Sequence, residues 1–248
     1  MSRDLLLDAG NTRLKWRVVE QGILLAEGVT SYPVPQTTPW SACEPDRAFV
    51  CNVAGKAVAM QLQQALQMGE IEWLQSSADR AGVRNLYRVP EQLGADRFAA
   101  LIGARARVGE RAVIVVMAGT AMTVDALTAG GEFLGGVIVP GLQLMRSALQ
   151  QGTANLGMPA GEVVLFPVST GEAIVTGAHI ALAGAIQVMH QRLLQRDGLS
   201  PGILLSGGDA EALLTWVPQA QHVQNLVLDG LARLAADANP TDKMVSHA

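Results

Sequence analysis

The chain has 248 residues, 49% of them hydrophobic and 16% charged, a balance that fits a packed α/β enzyme and excludes a disordered or fibrous chain. A net charge of −4 gives no general attraction to nucleic acid or an anionic membrane, so basic residues at a pocket carry added weight. Cys43 and Cys51 form no CxxC or Cys/His ligand pattern and read as ordinary thiols of a reducing compartment.

The opening MSRDLLLDAG does not read as a signal sequence, because Asp8 interrupts the apolar run after three leucines. Residues 4–8 read as a buried strand and 13–19 as its partner, with Leu14, Trp16 and Val18 alternating against Arg13, Lys15 and Arg17. Gln21-Gly22 turns into a third strand, Ile23 to Val29, followed by a Pro-, Thr- and Ser-rich loop over 30–47. Arg47 to Val53 reads as a strand, Gly55 to Met68 as a helix and Ile71 to Leu74 as a short strand. Residues 82–94, GVRNLYRVPEQLG, have no regular period but are polar and aromatic, as substrate-contacting segments often are. Asp96 starts a helix whose apolar stripe is Phe98, Leu101, Ile102 and Val108.

From Arg111 the pattern begins again, with a strand pair and a third strand, Glu132 to Val139. Helices are expected over about 142–150, 170–196, 210–214 and 231–236, a last core strand over Gly202 to Ser206, and a frayed tail over 239–248. No stretch is read as a membrane span of ~20 uncharged apolar residues. The expectation is a cytoplasmic protein with no membrane or nucleic-acid partner.

The renewal is a repeat. LLLDAGNTRLKWRVVEQG at 5–22 is echoed by IVVMAGTAMTVDALTAGG at 114–131, and the equal spacing from Asp8 to Gly22 and from Met117 to Gly131 implies hairpins that superpose without a gap. Three antiparallel strands followed by alternating strands and helices, given twice, is the order of duplicated ribonuclease-H-like domains. The expected halves are 1–110 and 111–238. Neither GxGxxG nor GxxxxGK[ST] is present, so Rossmann and P-loop readings lack their fingerprints.

Asp8-Ala9-Gly10-Asn11-Thr12 joins two strands: Gly10 admits close backbone approach to a phosphate, Asn11 and Thr12 offer donors, and Asp8 suits Mg²⁺. Alone it reads more readily as a β-turn capped by Asp and Asn; its echo at Gly119-Thr120 tips the reading to phosphate. Lys15 reads either as a phosphate contact or as a solvated lysine. Gly94-Ala95-Asp96-Arg97 sets a carboxylate and a guanidinium at a helix start. There Asp96 is either a macrodipole partner or a base for a substrate hydroxyl.

DAGNTRLK, GVRNLYRVPEQLGADR, AGTAMTVD, GGVIVPG, STGEAIVTG and SGGDAE, in that order, resemble type III pantothenate kinase from residue 4 to about 234. The resemblance implies an actin-like ATPase fold of two ribonuclease-H-like domains with an ATP cleft between them. The implied reaction is phosphorylation of pantothenate to 4'-phosphopantothenate with ATP and Mg²⁺, the first step of coenzyme A synthesis, in a homodimer. It implies that Asp8, Ala9, Gly10, Asn11, Thr12, Arg13, Leu14 and Lys15 form a first phosphate loop, with Asp8 on the metal. Gly119 and Thr120 would meet ATP from a second loop. Asp96 would be the general base, and Tyr87, Gly94, Ala95, Asp96, Arg97 and Thr170 would bind pantothenate. Without the resemblance, Tyr87 reads as core and Thr170 as a helix N-cap. Where relatives carry an Asp tied to a K⁺ or NH₄⁺ ion this chain has Met117, so a monovalent cation is in doubt. Another small-molecule kinase of the superfamily and a non-catalytic accessory relative remain the alternatives.

Overall fold

The computed structural model describes residues 2–35, 37–66, 68–152 and 160–238; the expected tail at 239–248 lies outside them. The chain forms two compact units, Met1–Gly109 with Asn225–Ala248, and Glu110–Gln224.

In the first unit, β1 (Arg3–Ala9), β2 (Leu14–Glu20) and β3 (Ile23–Thr30) form an antiparallel meander, and β4 (Arg47–Asn52) adds parallel to β1. Next come α1 (Lys56–Ala65), β5 (Glu70–Trp73), a short pair β6 (Asp79–Arg80) and β7 (Val83–Asn85), and α2 (Ala95–Val108). The main sheet runs β3-β2-β1-β4-β5. Strand alternation divides it into two faces. Leu5, Leu7, Leu14, Trp16, Val18, Ala48 and Val50 pack with Val58 and Leu62 of α1. Asp4, Leu6, Asp8, Lys15, Arg17, Arg47 and Cys51 alternate with them and so take the opposite face.

The second unit repeats this plan. It contains β8 (Val113–Ala118), β9 (Ala121–Leu127), β10 (Glu132–Pro140), α3 (Leu142–Gly152), α4 (Thr170–Asp197), β11 (Gly202–Ser206), α5 (Ala210–Leu214) and β12 (Gln221–His222). Its strands run β12-β11-β8-β9-β10, which is the first sheet's order with each strand replaced by its repeat, directions included.

Four expectations need correction. The last helix, α6 (Leu226–Asp237), starts five residues earlier than its expected start at Leu231 and belongs to the first unit. A Cβ on Gly103 of α2 would collide with the Leu226 carbonyl oxygen, and one on Gly230 of α6 would collide with that of Ala99. Paired glycines thus let the two helix backbones touch, and the Arg47 guanidinium ties α6 to the sheet by donating to the Ala235 carbonyl at 3.1 Å.

The hairpins also differ by one residue. Ala9 pairs with Leu14 but Ala118 with Met122, so Asp8 faces Lys15 while Met117 faces Thr123. Sequence spacing hid this because it is insensitive to register. Third, α4 does have the length and apolarity of a membrane span, with a window hydropathy of 1.4. Its Leu182, Ile186, Met189 and Leu193 stripe instead packs on Ile114, Val116, Val124 and Leu205 in the core of the second unit. Finally, β6, β7 and β12 are too short to leave a period that sequence reading can detect.

Candidate functional site

In the first unit, β1 delivers Asp8 at its C-terminal end, with Lys15 of β2 and Cys51 of β4 as register neighbours. The α2 helix starts on this face and brings Asp96. The Asp8 carboxyl is buried and its pKa is pushed up to about 6, mainly by desolvation; Lys15 counteracts the rise and Asp96 adds to it. The same surroundings push the Cys51 thiol well up, through burial first and then Asp8 and Asp96, so it stays neutral. A second carboxylate, Asp96, acts on Asp8, and Lys15 does not bring its pKa back to an ordinary value.

Gly94 is the N-cap of α2, and its φ of −56 does not require glycine. A Cβ there would instead lie 2.7 Å from Asp96 Oδ1. Glycine leaves room for the carboxylate, which accepts the Arg97 backbone N–H at 2.8 Å. The buried Arg97 donates through Nη1 to the Tyr87 hydroxyl at 3.0 Å, and its guanidinium lies 5.7 Å from the Tyr87 ring centroid. Asn85, which sequence reading passed over, organises this loop: its Oδ1 accepts from Tyr87 N–H at 3.0 Å and its Nδ2 donates to the Pro90 carbonyl at 3.0 Å. Asp8, Asp96, Arg97 and Tyr87 are therefore assembled in one unit.

In the loop joining β1 to β2, Asn11, Thr12 and Arg13 are exposed. Ala9 and Leu14 are not: both are fully buried in the core on the α1 side. Motif membership placed them among the phosphate contacts, but strand alternation leaves only their backbone atoms for that role. Gly10 and Gly119 share an informative property. A Cβ would meet only Arg13 O at 3.5 Å in the first case and Ala121 O at 3.6 Å in the second, both ordinary contacts. Neither glycine is demanded by the fold itself.

In the second unit Thr120 is exposed in the β8–β9 turn, where its carbonyl accepts from Gly141 N–H at 2.9 Å. Gly207, at φ 112, packs its α-carbon against the Ala118 carbonyl, where any side chain would collide. Gly141 and Gly207 carry the packing of this corner, Gly141 against the Gly119 and Thr120 carbonyls, whereas a Cβ on Gly119 itself would meet only an ordinary contact. Thr170 is exposed at the first turn of α4 and lines a cavity of about 650 Å³ with Pro140, Met145, Ala148, Leu149 and Ala173. It is not the N-cap that its position suggests. Ser169 caps the helix in a box with Glu172, which leaves the Thr170 side chain outside the cap.

Met117 is half-buried, with Thr123 and Ser206 as its register neighbours. The buried Thr123 Oγ1 has no hydrogen-bond partner among the described residues. No group of three or more His, Cys, Asp or Glu side chains that could hold a metal ion by itself occurs among the described residues. A metal at Asp8 would draw its other oxygens from a ligand and water, as Mg²⁺ with a nucleotide does.

The family profile for type III pantothenate kinase matches residues 4–192. Type III pantothenate kinase of Thiobacillus denitrificans is 44% identical over 235 residues, covering 93% of this chain and 96% of that one. The enzyme of the same name from Aromatoleum aromaticum is 45% identical, covering 94% and 98%. Among solved structures, a Sinorhizobium meliloti protein assigned as a 2-dehydro-3-deoxygalactonokinase has a TM-score of 0.60 at 14% identity, covering 94% of this chain and 97% of that one. Together with the repeated strand order, that likeness gives the fold as duplicated ribonuclease-H-like domains.

Proposed function

The chain belongs to the type III pantothenate kinase family, and from that premise we propose that the Asp8–Asp96 pair is its catalytic centre. The enzyme transfers a phosphoryl group from ATP to pantothenate, opening coenzyme A synthesis. The observation that carries the site assignment is the meeting of two carboxylates from separate elements, the buried Asp8 of β1 and Asp96 of α2, with Arg97 of α2 hydrogen-bonded to Tyr87 of the loop before that helix.

Asp96 accepts the proton of the pantothenate hydroxyl as that oxygen bonds to the γ-phosphorus, and the bond from phosphorus to the bridging oxygen of ADP breaks. Gly94 keeps room for the Asp96 carboxylate, and the Arg97 N–H orients it. Arg97 and Tyr87 bind pantothenate, whose carboxylate suits a guanidinium, together with Gly94, Ala95 and Thr170. Asp8 would hold Mg²⁺, which would neutralise triphosphate charge. The backbone from Ala9 to Leu14, the side chains of Asn11, Thr12 and Arg13, and Lys15 receive the phosphates, as do Gly119 and Thr120. A homodimer and a cytoplasmic setting complete the reading. The dimer is supported by the exposed apolar run Leu165, Phe166 and Val168, and the setting by the two free thiols.

Met117 brings no hard ligand to a K⁺ or NH₄⁺ ion, since a thioether is soft and uncharged; its register neighbours Thr123 and Ser206 carry hydroxyls and no carboxylate. We read the monovalent-cation site as missing from this chain or filled differently. Pantothenate-dependent ADP release, measured with ATP and Mg²⁺ in K⁺ and in Na⁺ buffers, tests both points. Wild type is expected to turn over equally in the two salts, and Asp96→Asn to lose about 10²–10⁴-fold in kcat. Unchanged turnover by Asp96→Asn removes it as the base, and a steep rise in K⁺ over Na⁺ overturns the cation reading.

A further inference from the structure

We propose that Tyr32 is a positioning residue of the first phosphate loop, its hydroxyl holding the Gly10 carbonyl so that the Asn11 N–H stays turned to the nucleotide phosphates. This rests on the reading of residues 8–15 as a phosphate loop. Tyr32 Oη donates to Gly10 O at 2.9 Å. Because the Gly10–Asn11 peptide is planar and trans, its C=O and N–H point in opposite directions, so fixing one fixes the other. The tyrosine is itself held. It lies two residues beyond Thr30, the last residue of β3, which pairs with Leu14 where β2 leaves the loop, and its ring packs against the core cluster containing Trp16 and Trp40.

The second unit repeats the device with different atoms. There the residue following the third strand is Gly141, and its N–H donates to the Thr120 carbonyl in the β8–β9 turn at 2.9 Å. In both halves the chain leaving the third strand clamps a carbonyl of the first hairpin's turn, by a phenol in one and by a backbone amide in the other. The first loop has one more residue than the second, as the pairings Ala9–Leu14 and Ala118–Met122 show. A longer reach is needed to its carbonyl, and a tyrosine side chain supplies it. A phenol can be deleted by substitution where a backbone amide cannot.

The test compares Tyr32→Phe with Gly10→Ala by steady-state kinetics and thermal melting of the full chain. Tyr32→Phe keeps the packed ring and removes one hydrogen bond, so KM for ATP is expected to rise about five- to tenfold. KM for pantothenate and the ligand-free melting temperature should stay near wild type. Gly10→Ala meets no protein atom closer than 3.5 Å and probes the loop itself; loss of ATP affinity without loss of melting temperature supports the phosphate-loop reading. If Gly10→Ala weakens ATP and Tyr32→Phe does not, the positioning role alone is overturned. If Gly10→Ala leaves ATP kinetics untouched, the phosphate-loop reading falls and the role with it. A Tyr32→Phe defect that raises both KM values together and lowers the melting temperature assigns Tyr32 to packing and overturns the proposal.

Discussion

Asp8 shows how a single residue couples stability to function. Burial lifts its pKa from the ordinary carboxylate range to about 6, so between about pH 4 and 6 the folded chain holds a proton that the unfolded chain has lost. Stability from this group is full below pH 4 and is lost as pH rises through 6, a change of about 3 kcal/mol. Asp8→Asn is expected to lack that fall, and at pH 7.5 without ligand to be more stable than wild type by up to about 3 kcal/mol, while losing Mg²⁺-dependent turnover. Calorimetry of both proteins across pH 4–8 measures the difference, and parallel profiles would count against it. Gly94 gives a second case. Gly94→Ala suits the backbone but displaces the Asp96 carboxylate, so kcat should drop about ten- to a hundredfold with the melting temperature within about 2 °C of wild type. Neither effect is legible in sequence, where Asp8 and Gly94 are motif letters and the desolvation and the 2.7 Å approach have no signature.

Among the elements, α6 departs furthest from expectation. In chain order it occupies the place after β12 that α2 occupies after β5, so the repeat assigns it to the second half. It packs on α2 instead because Gly103 and Gly230 remove the side chains that would keep the backbones apart. Gly230→Val should therefore cost at least about 3 kcal/mol, or about 6 °C or more in melting temperature. Gly184→Ala in α4, where a Cβ meets nothing within 4 Å, should stabilise by about 0.5–1 kcal/mol. Equal shifts from the two substitutions would show that helix propensity, and not the α2–α6 contact, controls the first. The long α4 is a related lesson: uninterrupted apolarity signals either a lipid-facing or a core helix, and only the stripe packed on β8, β9 and β11 decides between them.

For the whole molecule, the repeat proved to be one of topology. The strand orders β3-β2-β1-β4-β5 and β10-β9-β8-β11-β12 coincide, and in each sheet the position of Asp8 or Met117 faces away from the helix-packed core cluster. The exposed run at Leu165, Phe166 and Val168, between 81% and 92% accessible, is the surface we assign to a second copy. Sedimentation equilibrium is expected to give twice the 26.1 kDa chain mass, and Phe166→Asp with Val168→Asp to halve it; an unaltered mass removes this run from the interface. The strands of both hairpins, the helix behind Asp96 and the identity of the motifs were settled by the order of residues, because periodicity and short-range turn chemistry are local properties. The hairpin registers, the home of α6, the burial of Ala9 and Leu14, and the contact of Tyr32 with Gly10 were decided by tertiary structure alone. Each depends on which backbone atoms come within a few ångströms across long stretches of chain, and no local pattern encodes that distance.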